Sequence, residues 1–270
     1  MQLMRLTKPF LLLPTVALLS FASVASAQEV ITTAMDGVPM SKEPDHQLVL
    51  SNEYVNAYDV EVPPKGSTLL HQHLHDNIFV VLGAADVTNT VEGQPPAHLT
   101  LTDSSVNFGS APYAHSVTNN GATPFRNVII EFLQPQGQEK TFYKSVTDAL
   151  AGAVVNANFG KQNVVLETDA VRVLGVGLPS NGLWVAPSDG QPRLVVVLND
   201  TRDPTTPQAN KSLSELGTLV WYDGGGDDPG VANESDQPVK LMVVEFKRPQ
   251  PQPTAQVQLT SASNSYQGGY

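Results

Sequence analysis

One sequence frame occurs twice along this chain, and a chain built that way is constrained to fold one architecture twice. A shift of 116 residues lays the first half on the second without a gap from Tyr58 to Leu82. Tyr58, Val60 and Val62 fall on Leu174, Val176 and Leu178, and the turn Pro63 to Gly66 falls on Pro179 to Gly182. Val80-Val81-Leu82 falls on Val196-Val197-Leu198. Further on a shift of 114 applies: Val106 and Phe108 meet Val220 and Tyr222, Asn119 meets Asn233, and Pro124 meets Pro238. Arg126, Glu131 and Phe132 then meet Lys240, Glu245 and Phe246. Apolar residues coincide easily by chance, whereas matched Gly, Pro, Asn and Glu do not. The chain therefore reads as two copies of one domain, at 46–135 and 163–247, joined by a linker at 136–162.

Each copy reads as all-β. Short apolar runs such as Val55 to Val62, Asn77 to Leu82, Phe125 to Phe132, Val171 to Leu178 and Val239 to Phe246 alternate with Gly, Pro, Asn and Asp clusters. Short strands at regular spacing suggest a sandwich or barrel. Only Tyr143 to Val154, inside the linker, looks helical. From Arg248 the chain turns to Pro and Gln and then to a polar tail, so 248–270 is expected to be disordered.

The first 27 residues have the three parts of a secretory signal: Arg5 and Lys8, an apolar run from Phe10 to Phe21, and Ala25-Ser26-Ala27 ahead of Gln28. The apolar run is shorter than the roughly 20 residues a bilayer requires. Export to a periplasmic or secreted location, with cleavage after Ala27, is the expectation. Cysteine is absent, so neither disulfides nor a lipid anchor on cysteine are available, and the fold must rely on its core and on any metal it binds. Removing Arg5 and Lys8 takes the formal charge from −11 to −13. With that charge and no basic patch, neither nucleic acid nor a membrane surface is expected as a partner. A homodimer is compatible with the sequence, which leaves the oligomeric state open.

Four of the six histidines sit in two short segments. In His71-Gln-His73 the two imidazoles occupy alternate positions and would share one face of a strand. Neutral imidazole is a good ligand for iron, manganese, zinc or nickel. An isolated His-x-His is usually a surface cluster. A third histidine from another strand makes a facial set with open positions, and His115, at the head of an alternating run, supplies it.

Gly66, His71, His73 and Gly83 match the spacing of the first cupin motif, with one residue fewer before His71, and His115 and Asn119 match the second. The chain thus resembles a bicupin, two cupin-type double-stranded β-helix (jelly-roll) barrels in tandem, and in particular the small exported cupin-domain proteins of unassigned activity. The resemblance covers about 46 to 247 and implies a divalent metal on His71, His73 and His115. The motif's usual glutamate is absent. Asp76 is the preferred fourth ligand, since a carboxylate completes a mixed N/O set, with Asn77, His75 or water as alternatives. Ser110 and Pro112 replace the motif's usual Pro and Gly, so the loop before His115 is expected to have its own shape.

The repeat supplies an internal control. His71 falls on Pro187, His73 on Asp189 and His115 on Pro229, so all three imidazoles are lost together while the frame persists. Glu131 and Arg126, by contrast, recur as Glu245 and Lys240 and read as framework. Tyr58, Phe79 and Tyr113 read as core, and His46 and His98 as exposed. Two functions fit: a metal-dependent enzyme on a small oxygen-rich organic molecule, of dioxygenase, isomerase or decarboxylase type, or an exported protein that binds a metal, small acid or sugar without turnover.

Overall fold

The structure is a computed structural model that describes residues 35–137, 141–142, 145–151, 160–185, 189–201, 213–225 and 230–247. The segments read as signal (1–27) and tail (248–270) lie outside the described residues, as do Pro187 and Pro229. The first half contains β1 (Val38–Pro39), a 3-10 turn (Met40–Lys42), β2 (His46–Ser51), β3 (Val55–Val62), β4 (His71–His73), β5 (Asn77–Val81), β6 (Ala85–Val91), β7 (Ala97–Leu101), β8 (Val106–Gly109), β9 (Tyr113–Asn119) and β10 (Phe125–Phe132). They form two sheets, ordered β1-β4-β9-β6-β7 and β2-β3-β10-β5-β8. The second half contains β11 (Thr141–Phe142), the short helix α1 (Val146–Ala151), β12 (Lys161–Glu167), β13 (Val171–Leu178), β14 (Leu183–Trp184), β15 (Arg193–Val197), β16 (Leu219–Tyr222), β17 (Val231–Ala232) and β18 (Val239–Phe246). Its main sheet runs β11-β12-β13-β18-β15-β16, and β14 pairs with β17. The protein is all-β, built as two jelly-roll barrels in tandem.

The burial of β10 explains how the halves are joined. Seven of its eight residues are buried, too many for a sheet with one wet face. Phe125, Asn127 and Ile129 face the interior of the first barrel, while Val128, Ile130 and Phe132 face away from it. Those outward side chains, with Val55, Ala57, Ile78, Val80, Leu82 and Val106, meet twelve buried side chains of the second half, among them Val173, Leu194, Val196, Met242 and Phe246. Burial of a Val, Leu, Ile or Phe contributes roughly 1.5–3 kcal/mol, so neither half can expose this face without a large loss. The α1 residues Val146 and Ala149 join the same core.

The repeat is visible bond by bond. The β2–β3 register shifts between Leu48 and Leu50, and the β12–β13 register shifts between Val164 and Leu166, the same place in the frame. Asn119 Nδ2 donates to the carbonyls of Val62, Pro63 and Thr123, and Asn233 Nδ2 to those of Pro179 and Gln237. Two matched pairs are corrected. Ile78 lies opposite Phe108 while Leu194 lies opposite Trp221. The structural counterpart of Phe108 is therefore Trp221, and that of Val106 is Leu219, one residue away from the 114 alignment. A slip of one residue in a strand exchanges its faces. Phe108 and Trp221 accordingly pack against the shared core, whereas Val220 and Tyr222 pack inside the second barrel.

Candidate metal centre

The site is made by two neighbouring strands. β4 places His71 and His73 on one face, with Gln72 turned the other way to donate to the Met35 and Gly37 carbonyls at 2.6 and 3.1 Å. β9 runs antiparallel beside it and sets His115 directly across from His71. One nitrogen from each of the three rings lies within 4.8 Å of the other two. His73 and His115 approach through Nε2, 3.1 Å apart, and His71 Nε2 is buried without a hydrogen-bond partner.

The opposite ring nitrogens are held from behind. His71 Nδ1 is 2.9 Å from the Leu69 carbonyl and His115 Nδ1 is 2.8 Å from Asn89 Oδ1. His73 Nδ1 faces Asn77 Nδ2 at 3.4 Å and Glu131 Oε1 at 3.9 Å. The oxygen acceptors behind Nδ1 of His71 and His115 fix the tautomer that leaves their Nε2 atoms free for a metal. Burial lowers the pKa of all three rings, to about 2 for His73 and about 3 for His115, where neighbouring histidines add to it, while the Leu69 carbonyl and Glu43 oppose it at His71. The imidazoles are neutral near pH 7, as metal ligation requires. An orphaned Nε2, two more that approach it and two Nδ1 atoms anchored on oxygen make a donor set that fits a divalent ion.

Asp76 is not in this group. Its Oδ1 accepts the Ala111 N–H at 2.9 Å, in the loop before β9. Asn77 is the residue of that link whose side chain reaches the cavity, where it exchanges hydrogen bonds with the Tyr113 hydroxyl. His75 is exposed, and His98 lies at the surface beside Asp86. Tyr113 stacks on His73, centroids 4.6 Å apart and planes at 14°. Tyr113 and Phe79 both line the cavity; Tyr58 is core.

His46 differs from the sequence expectation: it is buried, it lines the same cavity, and its ring lies 4.7 Å from that of His71. Burial, helped by His71, holds its pKa near 3. A signal for it existed in the repeat. A shift of 116 puts His46 on Gln162, a fourth histidine lost with the other three. Glu131 is likewise more than framework. It matches Glu245 in position, but Glu245 lies against Arg193 and Arg172, whose counterparts in the first barrel are the neutral Asn77 and Asn56. Without a cation beside it, burial raises Glu131 to about 7 against the hydrogen bond from Asn56.

The three imidazoles open onto a cavity of about 70 Å³, the space open to the centre of a water-sized sphere. In the second barrel the matching space is filled. Trp184 stands where the first barrel has Thr68, Leu241 replaces Asn127, and Arg193 lies 5.8 Å over the Trp184 ring.

No protein-family model and no curated protein matches this sequence. Solved structures do. A protein from Pseudomonas aeruginosa described as glyoxylate-induced aligns over 77% of this chain and 82% of its own, at 14% identity and a TM-score of 0.53. Salicylate 1,2-dioxygenase from Pseudaminobacter salicylatoxidans aligns over 74% and 75%, at 11% identity and 0.48. A cupin domain from Bordetella pertussis aligns over 32% of this chain and 90% of its own, at 24% identity and 0.31. The likeness is one of fold alone.

Proposed function

We propose that this protein is an exported metalloprotein that holds a divalent metal through Nε2 of His71, His73 and His115, and that it acts on a small organic molecule bound above them. The observation that carries this reading is the contrast between the barrels. One keeps three convergent imidazoles under an open cavity, and the other, with the same frame, has a tryptophan in that space. A divalent ion bound by three neutral ligands supplies Lewis acidity at a ligand oxygen and keeps positions open for substrate or dioxygen. Leu69 and Asn89 orient the His71 and His115 rings, Tyr113 stacks on His73, and the apolar wall excludes water from the bound molecule. A second reading, capture without turnover, is favoured by one observation: among the described residues lining the cavity there is no aspartate or glutamate to serve as base.

The test is metal analysis of protein purified without a histidine tag. The parent is expected to hold one transition metal per chain, and a chelator should lower its Tm, because an ion that binds only the folded form stabilises it. His71→Ala, His73→Ala and His115→Ala should each lose the metal and the chelator-sensitive part of Tm, while His75→Ala and His98→Ala keep both. Triad variants that bind metal and melt like the parent would refute the site.

A further inference from the structure

The cavity contains a fourth buried imidazole that metal binding does not use. His46 heads β2, and its Nδ1 lies 2.6 Å from Glu43 Oε2. Glu43 is buried too and accepts two more hydrogen bonds, from the N–H groups of Asp45 at 2.7 Å and Leu69 at 3.1 Å. A carboxylate that collects three donors acts as an acceptor, so the Nδ1 proton points to Glu43 and Nε2 keeps its lone pair. Among the described residues nothing hydrogen-bonds to that Nε2. The Leu69 peptide couples this pair to the metal site: its N–H goes to Glu43 and its carbonyl to His71 Nδ1.

The rest of the wall restricts what binds there. Val60, Phe79, Leu99, Leu101, Phe125 and Ile129 supply apolar surface, and no lysine, arginine, aspartate or glutamate is among the described residues lining the cavity. Thr68, Asn77, Asn89, Asn127 and Tyr113 add a few neutral polar groups, but a polyacid would bury charges with no side-chain cation to pair them, at a cost of several kcal/mol. A mainly apolar molecule fits if it carries one oxygen for the metal and a neighbouring hydroxyl for His46. The second barrel shows the same acceptor position in use. Gln162, the counterpart of His46, accepts the indole N–H of Trp184 at 2.6 Å. There an aromatic ring of the protein itself fills the space and donates to the acceptor.

We propose that His46, held by Glu43, is the hydrogen-bond acceptor that recognises the hydroxyl of a phenolic or enolic ligand at the metal centre. Glu43 is a positioning residue. The proposal rests on the metal reading above and narrows its substrate class from oxygen-rich molecules in general to mainly apolar hydroxy compounds with a second metal-binding oxygen.

The parent, His46→Gln, His46→Leu and Glu43→Gln are loaded with cobalt(II) and their metal content and Tm are measured. Each is then titrated with 4-nitrocatechol, which offers a hydroxyl beside a metal-binding oxygen, and separately with azide, which binds metal and has no proton to give. All four proteins are expected to carry full cobalt. 4-Nitrocatechol binding should weaken about tenfold in His46→Leu and Glu43→Gln, and less in His46→Gln, which keeps an acceptor. Azide binding should stay within about twofold. Equal weakening of both probes, unchanged 4-nitrocatechol binding, or no binding of it to the cobalt-loaded parent would overturn the proposal. So would loss of cobalt in the His46 variants, which would make His46 a metal ligand. Failure of the parent to take up cobalt is seen before any 4-nitrocatechol is added, and it overturns the metal reading itself.

Discussion

At Glu131 and Glu245 the two barrels set the same carboxylate against different neighbours, and the difference predicts opposite responses to one substitution. Glu131, raised to about 7, binds in the native state a proton that the unfolded chain releases above its ordinary value of 4.5. Its stabilising contribution is full below pH 4.5 and is lost as pH rises through 7. In metal-free protein, Glu131→Gln should therefore stabilise at pH 8 by on the order of 1–3 kcal/mol, and by less at pH 5. Glu245 lies 3.7 Å from Arg193 Nε and 3.8 Å from Arg172 Nη1. Burial raises Glu245 as well, against its two arginines. Glu245→Gln takes one of two carboxylates from the buried Arg193 guanidinium, which keeps Asp189 at 2.9 Å, and should destabilise at pH 8 by on the order of 1–2 kcal/mol. Urea unfolding at pH 5 and 8 measures both; a shift of the same sign for the two variants at pH 8 would contradict this account.

At the scale of the element, the interior of the second barrel is a packed core in which Trp184 does the filling. Trp184→Ala should cost about 3–5 kcal/mol, the sum of lost transfer energy and a cavity, and should leave metal content unchanged, which unfolding curves and metal analysis of the same samples decide. The strands themselves were legible in the sequence because matched turns frame them: Pro63 to Gly66 and Pro179 to Gly182 each close with an N–H to the proline carbonyl. The pair His71 and His73 was legible because a strand alternates its faces, and His115 because it lies directly across from His71. Three things were not. The β8–β16 offset changes by a single residue, and the apolar residues on both faces of β16 hide a slip there. His46 lies outside any motif and reaches the cavity only through the pairing of β2 with β3. The setting of Glu131 depends on Asn77 and Asn56, which stand opposite it across strands and far from it in sequence.

For the whole molecule, the dominant fact is that the largest core belongs to both barrels at once. Tyr54, Trp221 and Phe246 pack there as a ring cluster with centroids 5.3–5.5 Å apart, and Phe132 adds to it from the first barrel. Burial is much less even on the side away from this core. β7 is mostly exposed and β6 only half-buried, while β10 and β18 are covered on both faces. Stability is thus graded across the molecule, and amide exchange reads that gradient directly. The amides of β10 and β18 should exchange only when the whole protein unfolds, with a denaturant dependence equal to that of global unfolding. Those of β6 and β7 should exchange through local opening that denaturant hardly accelerates. The wall carrying Val87, Asn89, Leu99 and Leu101 would then breathe many times for each global unfolding event, and a ligand could come and go through one side of the cavity while the other side stays shut.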